Sequence, residues 1–175
     1  MRSVAYLGRL VLGGYLAVHG AQKLFGAFGG HGIEGTAAGF EQLGLTPSKP
    51  MAALAGAAEF GGGLLTATGV ADPLGPLAIG GAMAVATSVH RKNGPLMANG
   101  GYELPLTYLA FATVLAAADV EAGHLGPRLS PRLTVLAALG TVGLTGYALM
   151  KVLRGQQPAP AAPAEEVAAA AATPA

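Results

Sequence analysis

The first apolar stretch, residues 7–25, most constrains what this chain can fold into, because it could cross a membrane and yet contains ionisable groups. Arg9, His19 and Lys23 all lie within it. Ionisable side chains inside a bilayer are costly, and they usually face a protein interior or a water-filled cavity. The stretch is therefore either a membrane helix with a function or a helix outside the membrane, and the rest of the chain decides between these.

Composition favours the membrane. Of the 175 residues, 52% are hydrophobic and only 11% are charged, whereas a soluble domain carries about 25% charged residues. The mean hydropathy is +0.51, which predicts an integral membrane protein. The net charge of +1 gives no electrostatic basis for binding nucleic acid. The absence of cysteine excludes disulfides, thiolate metal sites and thiol redox chemistry by the chain itself.

Five apolar runs approach the length of about 20 residues that a membrane-spanning helix needs. We therefore predict an all-α membrane protein with an antiparallel four-helix transmembrane bundle, a fifth C-terminal transmembrane helix and a disordered tail. The bundle occupies residues 1–122, the linker and fifth helix occupy 123–155, and the Ala/Pro tail occupies 156–175. Residues 26–50 read as a polar, glycine-rich loop, with Pro50 able to begin the second helix. The predicted spans are 4–25, 51–70, 74–90, 102–120 and 133–153.

Alternating helix directions bring five ionisable residues toward one leaflet. These residues are His19, Lys23, Glu59, His90 and Glu103. Glu59 lies near the middle of its span, so it has no interfacial position to explain it. Because an unpaired buried charge is strongly disfavoured, we expect a pair between Glu59 and either His19 or Lys23.

Arg9 lies near the opposite leaflet and is too far along the helix to join this cluster. It could pair with Asp72, bond the hydroxyl groups of Thr66 or Thr68, or extend to lipid headgroups. We interpret Arg9 as a structural ion pair or an interface residue.

Less specific interpretations remain open for the other residues. Lys23 and His90 can mark the membrane interface, and Glu103 can be a helix N-terminal charge. His19 and His90 could in principle ligate a haem from one leaflet. No dedicated metal site is expected, because too few ligands converge.

Four motifs stand out along the first four spans: Arg9-x-x-x-Gly13, His19-Gly20-x-x-Lys23-Leu24-Phe25-Gly26, Ala58-Glu59-x-x-Gly62-Gly63-x-Leu65 running to Thr68-Gly69, and Gly100-Gly101-Tyr102-Glu103-Leu104-Pro105. In these motifs the sequence resembles the DoxX family of bacterial membrane proteins. The resemblance implies a four-helix membrane bundle and an oxidoreductase activity associated with quinone-linked sulfur oxidation or with complexes that handle oxidative and thiol stress. It covers about residues 4–120, so the fifth span and the tail look like an extension.

The leading functional hypothesis is a multi-pass subunit of a redox or oxidative-stress complex in the cell membrane, with a quinone as cofactor. His19, Lys23 and Glu59 would be catalytic, exchanging protons and stabilising negative charge. His90 and Glu103 would complete the quinone site. A soluble or membrane redox partner is needed, because the chain has no evident redox centre.

Two alternatives belong to other functional classes. The protein could be a non-catalytic membrane scaffold or assembly factor, in which the charged cluster fixes helix register. It could also be a transporter of small solutes or protons, since carboxylates within a membrane often mark such routes. The distribution of lysine and arginine slightly favours a cytoplasmic location for the cluster and for the C-terminus.

Overall fold

The computed structural model describes residues 2–117 and 126–155. This part of the chain contains six α-helices and no strand, which confirms the all-α prediction. Short 3₁₀ turns follow α1 and α4 and precede α5. The helices are α1 (Arg2–Phe25), α2 (Gly32–Gln42), α3 (Ser48–Thr68), α4 (Leu74–His90), α5 (Glu103–Ala117) and α6 (Pro131–Gly155).

Five of these helices coincide with the five apolar runs, but the loop predicted between the first two runs is wrong. Helix α2 occupies eleven residues of it. Its contacts with α1 and α3 hold it in place, with Ala37 buried and the Thr36 hydroxyl donating to the carbonyl of Lys23 at 3.3 Å. The start predicted at Pro50 is also wrong, because α3 begins at Ser48.

Helices α1 and α3 pack antiparallel at backbone contact. A methyl group on Gly13 would lie 2.5 Å from the carbonyl oxygen of Gly63, and one on Gly20 would lie 2.2 Å from the amide nitrogen of Phe60. Such positions accept only hydrogen, so glycine is what lets the two backbones approach. This contact sets which residues of α1 and α3 face each other along their whole length.

The remaining helices assemble around α4. Its first half shares an apolar core with α1 and α5. Gly81 of α4 lies against Thr141 and Thr145 of α6, while Val89 shares a second core with Val152. Residue numbers therefore rise together along α4 and α6, and these two helices run parallel. That direction agrees with a chain whose five long helices alternate.

Among the described helices, one is both long and apolar enough to span a membrane by length and composition, and it is α6. Most of the apolar residues of α6 are exposed rather than buried against the other helices. Helix α5 is apolar but shorter within the described residues. Helices α2 and α4 have 11 and 17 residues and are also shorter, while α1 and α3 contain glycines and charged residues that lower their mean hydropathy.

The domain boundaries stay predictions. The end of the fourth predicted span and the linker start fall within residues 118–125, and the Ala/Pro tail is residues 156–175. Both segments lie outside the described residues.

We expect Gly63→Ala to lower the free energy of unfolding by about 1–3 kcal/mol, because its methyl group would meet the Ala17 amide nitrogen at 2.5 Å. Gly143→Ala is the matched control, since a methyl group there has no neighbour within 4 Å, and it should be neutral or slightly stabilising. Unfolding of the purified protein in mixed micelles measures both. Equal stability of the two variants would contradict the close packing of α1 against α3.

Candidate functional site

The antiparallel contact of α1 with α3 brings Lys23 to Glu59. Lys23 Nζ donates a hydrogen bond to Glu59 Oε2 at 2.5 Å. The Glu59 side chain is 6% exposed and that of Lys23 is 27% exposed. The carboxylate is therefore buried with a charged partner, as its burial requires. Of the two partners predicted for Glu59, the structure selects Lys23.

His19 lies one turn before Lys23 on α1 and is half-buried. Residues four apart share a helix face, so His19 follows Lys23 toward α3. The hydrogen bond to Glu59 in the described structure comes from Lys23. His19 is thus a neighbour of the ion pair rather than its hydrogen-bonding member.

A cavity of about 490 Å³ lies beside this ion pair. It follows α4 from Leu74 to His90, a distance of about 24 Å at the rise of a helix. Its walls come from α3, α4 and α6 and from the end of α2, and they are mostly apolar. Lys23, Glu59 and His90 all line it. The cavity therefore has the size and the few polar groups typical of a small-molecule site.

His90 links the cavity to the loop before α5. Its Nδ1 lies 2.9 Å from the carbonyl oxygen of Gly100, and Asn93 Nδ2 donates to the same oxygen at 3.0 Å. Because a carbonyl oxygen only accepts, Nδ1 carries the hydrogen in this bond. Glu103 begins α5, is exposed, and is not among the residues that line the cavity. Of the five clustered residues, Lys23, Glu59 and His90 thus line the cavity, whereas His19 and Glu103 are not among its lining residues.

Arg9 belongs to a second buried ion pair at the opposite end of α1. Its Nη1 donates to Asp72 Oδ1 at 2.9 Å, and both side chains are at most 1% exposed. Arg128 Nη2 lies 3.7 Å from the other carboxylate oxygen of Asp72. Of the partners considered for Arg9, the structure shows Asp72. The second buried polar site therefore joins α1, the turn between α3 and α4, and the segment before α6.

Three cavity-lining residues were missed from sequence. Thr141 and Thr145 of α6 line the cavity, and Phe40 reaches it from the overlooked helix α2. The spacing of the two threonines by four residues did place both hydroxyl groups on one face of the fifth helix. No sequence signal showed that this face meets α4.

No group of three or more His, Cys, Asp or Glu side chains arranged to hold a metal ion occurs among the described residues.

Over residues 2–117 and 126–155, the fold and the site define a helical protein with one helix suited to a membrane and with two buried carboxylates, Glu59 and Asp72, each paired with a basic side chain of α1. The chain belongs to the DoxX family: the family model described as DoxX matches residues 4–91, half of the chain. This confirms the resemblance and supports a membrane protein that contacts the lipid bilayer. The matched segment contains the Lys23–Glu59 pair and the Arg9–Asp72 pair. It ends before Glu103 and before Arg128, which lies near Asp72. Comparison with curated proteins and with solved structures gave no match.

We expect Asp72→Asn to lower the free energy of unfolding by about 3–5 kcal/mol, because it leaves the buried Arg9 guanidinium without its charged partner. The control is Glu34→Gln, which breaks the pair of Glu34 with Lys49. Those side chains are 75% and 61% exposed, so the loss should be at most about 1 kcal/mol.

Unfolding titrations in micelles measure the free energy of unfolding of Asp72→Asn and of Glu34→Gln. Combining Arg9→Met with Asp72→Asn should recover part of the loss, because it removes the orphaned charge. If Asp72→Asn costs no more than Glu34→Gln, the buried pair does not hold these elements together.

Proposed function

We propose that this protein is a multi-pass cell-membrane subunit of a quinone-linked redox or oxidative-stress complex. The observation that carries the proposal is the long apolar cavity with Lys23, Glu59 and His90 on its wall. An amphipathic ligand with a polar head and a long apolar portion fits such a cavity. Membership of the DoxX family supports the membrane setting.

The outward faces of the helices support several membrane passes. On α1, Leu7, Val11 and Tyr15 are about half exposed or more. On α6, Leu136 and Val142 are similarly exposed. Apolar surface of this extent needs lipid or protein to cover it. Alternation of direction among the five long helices is what successive membrane crossings would produce.

The residues on the cavity wall suit a quinone. When bound, a quinone supplies two-electron, two-proton redox chemistry. Lys23 Nζ would donate to a ligand oxygen and stabilise negative charge on it. Glu59 would accept or return a proton at its carboxylate, and His19, one turn from Lys23 on α1, would be a second proton-exchanging group. His90, held through Nδ1 to Gly100, would orient the head through its other ring nitrogen.

Electrons would come from a partner protein. The chain has no cysteine and no evident redox centre of its own. A soluble or membrane redox partner would therefore complete the reaction, and this chain would bind the ligand and manage its protons.

The second candidate is a non-catalytic scaffold or assembly factor. The ion pair of Lys23 with Glu59 joins α1 to α3 beside their glycine contact. A pair in that position suits a role in fixing helix register. In that case the cavity would hold structural lipid, and loss of the pair would reduce stability or complex recovery rather than a redox activity.

A cavity-filling substitution on α6 tests the ligand site without touching a charge. Gly140 lines the cavity, and Gly143 is not among the lining residues. A methyl group at either position has no neighbour within 4 Å. We expect Gly140→Leu to reduce co-purifying quinone severalfold while Gly143→Leu leaves it unchanged, as measured by mass spectrometry of lipid extracts in mild detergent. Equal quinone content in both variants would argue against this cavity as the site.

Charge-neutralising variants separate the two candidate functions. We expect Glu59→Gln and Lys23→Met to lose at least about tenfold in bound quinone, the effect of one charge-assisted contact. Exposed Glu34→Gln is the control. The proposal fails if no sample, wild type included, contains quinone. Variants that shed a co-purifying protein would then favour the scaffold.

A further inference from the structure

A second groove lies between the C-terminal halves of α4 and α6, near the start of α5. Its volume is about 610 Å³ and it is open to the outside. It shares no lining residue with the cavity beside Glu59. The polar lining residues are Thr87, Ser88, Arg91 and Tyr102, and the larger apolar ones are Leu149 and Leu153.

The end of the molecule that holds this groove is rich in positive charge. Helices α4 and α6 run parallel, so their basic C-terminal segments end on the same side. Arg91 and Lys92 follow α4 directly, and both are exposed. Lys151 and Arg154 lie in the last turns of α6, and Lys151 is over the Tyr147 ring at 5.6 Å. Basic residues where helices leave a bilayer attract anionic lipids.

The basic groups at this end include Arg91, which lines the groove, and Lys151 and Arg154 in the last turns of α6. A phosphate group in the groove would be close to the positive charge of Arg91 and to hydroxyl groups. An acyl chain would contact the leucine side chains of α6.

We propose that this groove binds one anionic phospholipid, with its phosphate at Arg91, Ser88 and Tyr102 and an acyl chain along Leu149 and Leu153. The inference rests on the membrane placement proposed above and does not depend on the quinone. Such a lipid would bridge α4 and α6. Those two helices also form a wall of the cavity, so the lipid would steady that wall from the other side.

Glu103 distinguishes an anionic from a zwitterionic occupant. It is exposed and directly follows Tyr102 of the groove. Its carboxylate repels an anionic headgroup, whereas it would attract the ammonium group of a zwitterionic one. Removing its charge should therefore tighten anionic lipid binding and weaken binding of phosphatidylethanolamine.

The test is a lipid titration of the purified full chain in mild detergent, followed by native mass spectrometry and thermal unfolding. The probes are dioleoyl phosphatidylglycerol, phosphatidylethanolamine and phosphatidylcholine. We expect wild type to retain and be stabilised by phosphatidylglycerol preferentially. Arg91→Gln should weaken its apparent affinity about fivefold, and Glu103→Gln should strengthen it.

The matched control is Arg132→Gln, because Arg132 is an exposed arginine at the opposite end of α6. It should leave phosphatidylglycerol binding unchanged. Tyr102→Phe provides a second test that keeps the charge of the loop and should also weaken binding. Equal response to the three lipids overturns the proposal, as does equal binding by Arg91→Gln, Tyr102→Phe and Arg132→Gln. Weaker phosphatidylglycerol binding by Glu103→Gln also overturns it.

Discussion

The close antiparallel contact between α1 and α3 is the constraint on which the rest of the structure depends. Gly20 touches the backbone of Phe60. Lys23 follows Gly20 by one helical turn, while Glu59 immediately precedes Phe60. The same glycine contact that packs the helices therefore delivers the ammonium group to the carboxylate. A larger residue at Gly20 would separate the helices and leave Glu59 buried without its partner.

The two ion pairs restrain the contact from both ends. Lys23 pairs near the C-terminal end of α1, and Arg9 pairs with Asp72 near the other end. Each pair includes a buried carboxylate, whose charge is costly without a partner. Sliding α1 by one turn along α3 would disrupt both pairs together. We interpret this arrangement as a device for register, which is compatible with a ligand-binding role for the pair that lines the cavity.

The sequence predicted the long helices well because each coincides with one apolar run. It missed α2 because that segment has many glycines and few large apolar residues, and its helix depends on packing against α1 and α3. Topology brought Lys23, His19 and Glu59 together correctly. It could not choose between Lys23 and His19, since both lie on one face of α1. The sequence could not predict the cavity, because residues that are far apart in the chain, such as Glu59 and Thr145, form its wall together.

The cavity has two structural origins. The segment matched by the family model, residues 4–91, contributes Lys23, Glu59 and His90. Helix α6 lies outside that segment and contributes Thr141, Thr145 and Ala148 to the wall. Charge at the site thus comes from the matched part, and enclosure along α6 comes from the remainder of the chain. The charged groups of the cavity wall therefore belong to the segment that defines the family, whereas the apolar enclosure of the cavity depends on how α6 packs against α4.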